Sequence, residues 1–338
     1  MISCGGTFTL ILDNAGTLWG AGERSYSYGS LGNIQYQDDS NELNVLGKIA
    51  TGLQNKIISL SAGLSHSLFL DEEGSVWGCG KDTVGELGTG SGETVYDLSK
   101  FSSMPLPVAA ISAGINSSFF LDRDGKVWTC GKFTKTPGEI LQIANVPSIK
   151  SIATGAEHAL FLDVAGDVWM LTKADLVPEM LRSPVAITQI AAGGYHSFFI
   201  DEEGSAWSVG QNNQGQLGTG DKVSKLVPNK VQNSNKMVLV GCGWHHSILL
   251  DSDGAIWVCG SNEHGQIGMG TLHEVVELVQ NEDLPLVQHF VTSYDHTFFV
   301  DIFSNTWVCG YNWHSQLGFE GESVKIPVQM ALKICCSN

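Results

Sequence analysis

The chain of 338 residues is 43% apolar and only 16% charged, with 40 glycines, which excludes a disordered polypeptide and describes a well-buried fold with many tight turns. A formal charge of −17 excludes a surface built to neutralise phosphates, so direct nucleic-acid binding is not expected and neutral or basic protein partners fit better. No apolar run reaches the length of a membrane span, and Met1 to Gly6 carry no basic stretch, so neither a membrane segment nor a signal peptide is expected.

From the N-terminus, one phrase returns along the chain: small-Gly-x-x-His, four apolar or small residues, Asp-x-x-Gly, a small and an apolar residue, then Trp. It opens with Gly5, Phe8, Asp13, Gly16 and Trp19, and a clear copy follows at Gly63, His66, Asp71, Gly74 and Trp77. Between these two copies lies an insertion, Ile34 to Glu42, a long loop of the kind that carries recognition on rigid scaffolds. The third and fourth copies hold Gly114, Ser117, Asp122, Gly125, Trp128 and Gly155, His158, Asp163, Gly166, Trp169. Clear fifth and sixth copies begin at Gly193 (His196, Asp201, Gly204, Trp207) and Gly243 (His246, Asp251, Gly254, Trp257), and a degenerate seventh has Ser293, His296, Asp301 and Trp307.

Each phrase predicts a hairpin, as in Ser67 to Leu70, a turn at Asp71 to Gly74, and a return strand to Cys79. Asp accepts hydrogen bonds from turn amides and Gly takes a positive φ there. An isolated hairpin is barely stable in water, whereas hairpins set radially bury both faces of small sheets. The expected fold is all-β, a seven-bladed β-propeller forming one domain over 1–338, with blade hairpins near 2–32, 57–90, 108–133, 149–172, 188–220, 238–270 and 289–318, and a C-terminal segment that helps close the ring. Ile334 to Asn338 begins like one more phrase, as Ile2 to Gly5 also does. Trp257 is expected to be a core residue.

After the tryptophan, blade five continues with Gly210, Asn212, Gly215, Gln216, Leu217 and Gly218, and blade six with Gly260, Asn262, Gly265, Gln266, Ile267 and Gly268. With this Trp-x-x-Gly-x-Asn-x-x-Gly-Gln-Leu-Gly continuation the chain resembles the RCC1 repeat family over essentially its whole length. Blade seven carries Asn312, Gln316, Leu317 and Gly318 with Ser315 in place of a glycine, and blade two carries Asp82, Gly85, Glu86, Leu87 and Gly88. Blades three and four lack the continuation and are expected to be trimmed on one side. The family's founding member is a guanine-nucleotide exchange factor for Ran, and relatives include ubiquitin-ligase substrate modules, a plant UV-B photoreceptor and secreted enzyme inhibitors. The exchanger's wedge hairpin has no counterpart here, and a single Gly243-Trp244-His245-His246-Ser247 phrase does not build the photoreceptor's tryptophan cluster. Asp295 and Glu157 precede repeat histidines in the slot where the resemblance implies an acidic residue that meets a GTPase.

Hairpin direction puts the Gly-x-x-His segments and the Asn-x-x-Gly-Gln-Leu-Gly loops on one face and the Asp turns on the other. The turn face collects Asp71, Asp122, Asp201, Asp251 and the acids beside them, either an acidic rim that steers a basic partner or a solvated surface that keeps the ring soluble. The loop face offers Tyr195, Trp244, His245, Tyr294, Asp295, Trp313 and His314, with His264 and Tyr311. These are the residue types of interface hot spots, with packing between loops as the competing reading. One histidine per blade (His66, His158, His196, His246, His296) spreads around a ring and is expected to bond backbone within its blade.

Eight cysteines fall mostly at strand positions that other repeats fill with small residues, without a Cys-x-x-Cys pair, so free thiols and no metal or cofactor are expected. No nucleophile elbow, zinc helix or phosphate loop motif occurs, and Gly88 to Gly92 ends a blade phrase instead of opening a helix. The reading is a monomeric, cytoplasmic interaction propeller, with nuclear entry alongside a partner left open. It binds a protein through its loop face, with guanine-nucleotide exchange on a small Ran-like GTPase as the alternative.

Overall fold

A computed structural model of the chain describes residues 1–22, 29–32, 34–35, 46–49, 52–104, 107–172, 176–233 and 235–333. Most of the blade-one insertion and all of Ile334 to Asn338 lie outside the described residues. Among the described residues, the strands form seven antiparallel sheets, one five-stranded within blade one and six four-stranded. In blade two, Ile57–Ala62, His66–Asp71, Val76–Gly80 and Val95–Lys100 follow one another from the centre of the ring outwards. The innermost strands of all seven blades line a central cavity of about 180 Å³.

The second strand of each blade explains why the chain forms a ring and not separate hairpins. All six residues of His66–Asp71 are buried, because each face of the strand meets a different neighbour. Phe69 packs with Phe8 and Leu10 of blade one, while Leu68 and Leu70 pack with Val108, Ile111 and Phe120 of blade three. A strand covered on both sides needs a continuous apolar run, which is the pattern seen. Blades three and four are trimmed as expected, with Val127–Gly131 followed by Leu141–Gln142 and Val168–Leu171 followed by Glu179–Leu181.

At the turn, one aspartate organises the hairpin. Asp71 Oδ1 accepts from the amides of Glu73 (3.1 Å) and Ser75 (2.8 Å), and its Oδ2 accepts from Trp77 Nε1 at 3.0 Å. The indole-to-carboxylate bond recurs in every blade, between 2.8 and 3.0 Å, from Trp19 to Trp307. Two expectations change here. The tryptophans pack against the core clusters but are only half-buried, each also covering its turn, because the indole must lie along the sheet surface to reach the carboxylate. The aspartates of the supposed acidic rim point inward, and Asp71, Asp201 and Asp251 are buried, so Glu72, Glu73, Asp124, Glu202, Glu203 and Asp253 carry the exposed charge.

The repeat histidines are also corrected: their partners are hydroxyls of the next blade. His66 Nε2 lies 3.0 Å from Ser118 Oγ, and His158, His196 and His246 reach Ser197, Ser247 and Thr292 at 2.8, 2.8 and 2.6 Å. Ser118 and Ser247 donate their own hydrogens to the Glu86 and Gln216 carbonyls, so the ring Nε2 must be the donor. Blade three has Ser117 in the histidine slot, and the facing position on blade four is Ala159, so both halves of that contact are missing together.

The ring closes without a shared sheet. Blade one is built from strands running from Ile2–Cys4 to Leu46–Ile49 and blade seven from Val287–Thr292 to Val324–Lys333. The seam uses the same fastening as four of the other junctions, with Thr9 Oγ1 3.2 Å from His296 Nε2 and 2.8 Å from the Gln316 carbonyl. Ile2, Cys4 and Ile11 pack there against Phe298, Val300, Leu317 and Met330.

Candidate loop-face interface

The two residues before each repeat histidine form the inner rim of the loop face. Their backbones are pinned by the third strand's end, where the amides of Gln211, Ser261 and Tyr311 donate to the carbonyls of Tyr195 (2.9 Å), His245 (2.8 Å) and Asp295 (2.7 Å). Glycine is required opposite them: a Cβ on Gly310, at φ +103, would lie 2.3 Å from the Asp295 carbonyl oxygen. Adjacent rims are tied by backbone bonds such as Trp244 N to the Tyr294 carbonyl at 2.9 Å.

In blades five to seven these rigid positions carry rings. Trp244 stacks on Tyr294 with centroids 4.9 Å apart and planes 16° apart, and Tyr195 meets the Trp244 edge at 5.6 Å. Gly194 leaves room for this, since a Cβ there would sit 2.4 Å from the Trp244 carbonyl. His245 adds its ring to Trp244 at 5.9 Å. A second group lies on the outer loops, with Tyr311 at 4.9 Å from His264 and 5.9 Å from His314. Trp313 projects beyond it and is 67% exposed, while Tyr195 is 44% exposed.

Asp295 connects the two groups. Gln266 Nε2 donates to its Oδ1 at 3.1 Å. Burial pushes its carboxyl above the ordinary range, against the opposing pull of His264 and His245. Burial also lowers His245 and raises the Tyr294 hydroxyl. His245 Nδ1 is buried without a hydrogen-bond partner.

The structure therefore brings Tyr195, Trp244, His245, Tyr294 and Asp295 into one continuous patch, with His314 and Trp313 on its outer side. Glu157 stands apart. It lies on blade four, exposed, and pairs with Lys132 of blade three at 3.2 Å. The sequence reading missed Gln266 as the residue that fixes Asp295, although its place in the Gly-Gln-Leu-Gly run was visible. It also missed the polar half of the same face, where Lys81 Nζ donates to Asn116 Oδ1 at 3.1 Å. Among the described residues no group of His, Cys, Asp and Glu has the arrangement of a metal site, and no helix is long and apolar enough to cross a membrane.

Profiles described as Regulator of chromosome condensation (RCC1) repeat match residues 203–250 and, for a second profile of the same description, 57–86, 187–216 and 237–266. The chain is 29% identical over 159 residues to Guanine nucleotide exchange factor SRM1 of Saccharomyces cerevisiae, an alignment covering 42% of this chain and 33% of that protein. It is 28% identical over 176 residues to the human Regulator of chromosome condensation (47% and 40% covered) and 34% identical over 133 residues to Serine/threonine-protein kinase Nek9 of Xenopus laevis (38% and 14%). The matched region thus spans less than half the length of these curated relatives. Among solved structures, Prp20p from Saccharomyces cerevisiae, described with its binding properties to Gsp1p and histones, superposes with a TM-score of 0.80 at 21% identity, covering 91% of this chain and 84% of that one. Human WBSCR16 superposes with a TM-score of 0.80 at 20% identity, covering 94% and 93%. Repeat phrases, matching profiles and blade architecture agree: the chain is a seven-bladed β-propeller that carries RCC1 repeats over residues 57–86 and 187–266.

Proposed function

We propose that the chain is a non-catalytic interaction propeller that holds a protein partner on the loop face of blades five to seven. One observation carries this reading: Tyr195, Trp244 and Tyr294, from three successive blades, form a contiguous aromatic surface on a backbone fixed by backbone hydrogen bonds from one rim to the next. Such rings offer large contact area at little entropic cost, and an adjoining exposed Trp313 has the form of an interface anchor. Affinity capture with the wild-type chain and with Trp313→Ala, quantified by mass spectrometry, tests it. Partners captured by the wild type are expected to be depleted at least tenfold with the variant, and an unchanged partner set would remove this face from consideration.

A second reading, guanine-nucleotide exchange on a small Ran-like GTPase, is favoured by Asp295, a carboxylate held at the rim by Gln266, and by the similarity to SRM1 over 42% of the chain. Release of a fluorescent GDP analogue from a panel of small GTPases separates the two. Catalytic acceleration that is lost in Asp295→Asn would establish exchange, whereas no acceleration across the panel leaves the interaction propeller.

A further inference from the structure

Long loops of the ring rest on the outer strand of the following blade. In blade five, the Gly220 amide donates to the Val276 carbonyl at 2.9 Å and Thr219 bridges Glu277, which extends the blade-six sheet beyond its outer strand Val275–Gln280. Blade six repeats this on blade seven, with the Gly270 amide 2.9 Å from the Lys325 carbonyl on Val324–Lys333. A Cβ on Gly215 or Gly265 would lie 2.6 Å from the Cα of Val276 or Lys325, so loop backbone touches strand backbone.

Blade four breaks the pattern. Its strands Val168–Leu171 and Glu179–Leu181 are joined by a connection too short for such a loop. By register with Gly210, Gly260 and Gly310, Leu226 is the counterpart of Val276 and Lys325, and among the described residues no amide from outside the sheet ladder donates to its carbonyl. On this outer strand, Lys225–Lys230, Leu226 is 92% exposed and Val227 64%, with Val223 just before it at 62%. Pro228 stands where blade seven has Pro327, which lies under Gly268, so the strand keeps the form of a covered one. An open edge flanked by exposed aliphatic side chains is a template for strand addition.

We propose that this edge is a second docking site, taken by an extended acidic segment of a protein partner that adds to blade five in trans as Thr219 and Gly220 add to blade six in cis. Charge selects the occupant. The covered edge of blade six carries Glu274 and Glu277 and receives a loop whose Lys222 pairs with Glu274. The open edge has Lys225 and Lys230 at its two ends; Lys225 holds Asp221 at 2.7 Å and Lys230 lies over the Trp207 ring. A second copy of the chain fits poorly, because antiparallel pairing of two such strands sets Lys225 of each against Lys230 of the other, like charge against like.

A fluorescein-labelled peptide copying residues 212–224 with Lys222→Glu, titrated with the full chain and read by anisotropy, tests the site. Saturable binding is expected, at least tenfold weaker with the chain variant Leu226→Ser and with a peptide carrying Leu217→Ser, and unchanged with Trp313→Ala. Reversing the charge of the edge, Lys225→Glu with Lys230→Glu, is expected to turn the preference towards the peptide that retains Lys222. Absence of saturable binding, or equal binding by a Leu226→Ser chain with an unaltered melting curve, would overturn the proposal. So would a concentration-dependent dimer in sedimentation that Leu226→Ser abolishes, since the occupant would then be a second copy.

Discussion

An aspartate at the head of each hairpin turn binds two backbone amides with one oxygen and an indole with the other, so three separate features of the repeat phrase are one hydrogen-bonded unit. Trp257→Phe keeps an aromatic ring in place and deletes the 2.8 Å bond to Asp251, whose Oδ2 retains Asn235 at 2.7 Å. A loss of about 1.5–3 kcal/mol in urea denaturation is expected for one bond to a charged acceptor, and an unchanged midpoint would show the indole to be a passive cover. Trp313, two-thirds exposed with 67% of its surface accessible, belongs to the other class. Trp313→Ala is expected to leave stability within about 0.5 kcal/mol of wild type while weakening partner capture, and a large drop in melting temperature would place Trp313 in the fold instead.

Among elements, the contrast is between what lies within a blade and what lies between blades. Asp, Gly and Trp at fixed offsets specify a hairpin locally, and that much could be read directly from the chain. The partner of His66 could not, because Ser118 sits in the next blade and no spacing in the sequence relates the two before the ring is known. The same holds for the tryptophans, whose periodic placement fits a core residue and a turn lid equally well. Hairpin direction placed Tyr195, Trp244 and Tyr294 on one face, but their contact depends on three blades being neighbours in the ring. Gln266 was visible as a repeat residue and invisible as the anchor of Asp295 for the same reason. The inter-blade hydroxyls give a direct test. Thr9→Val at the seam and Ser118→Ala at an interior junction each strand a buried histidine and are expected to cost about 1–3 kcal/mol apiece. A loss at the seam far smaller than at Ser118 would mean that the ring closes by packing alone.

For the whole molecule, the belt of buried histidines sets the response to acid. Burial lowers His66, His196, His246 and His296 from 6.5 to about 3, and His158 to about 4. The unfolded chain therefore binds protons that the ring refuses throughout that window, and stability falls as pH drops below about 6.5 towards 4, with a plateau above. The turn aspartates act lower. Burial raises Asp71 and Asp251, but hydrogen bonds from Trp77 and Trp257, their turn amides and neighbouring asparagines outweigh it and leave both below the usual 3.8. Their contribution is complete above that value and lost only as pH falls through the lowered one. Urea midpoints measured from pH 7.5 to 4.5 are expected to decline, with the belt histidines contributing up to five of the protons taken up on unfolding, and His246→Phe, which copies Phe8 of blade one, is expected to remove one of them. A midpoint independent of pH across this range would mean that the histidines are charged within the ring.

The most direct measurement is hydrogen exchange on the full chain alone and in complex with a captured partner. Slowed exchange is predicted at residues 194–195, 244–245, 294–295 and 311–314, with the turns at 71–74, 201–204 and 251–254 unchanged. Protection confined to those turns, with the loop face exchanging as in the free chain, would contradict the assignment of the aromatic face as the interface.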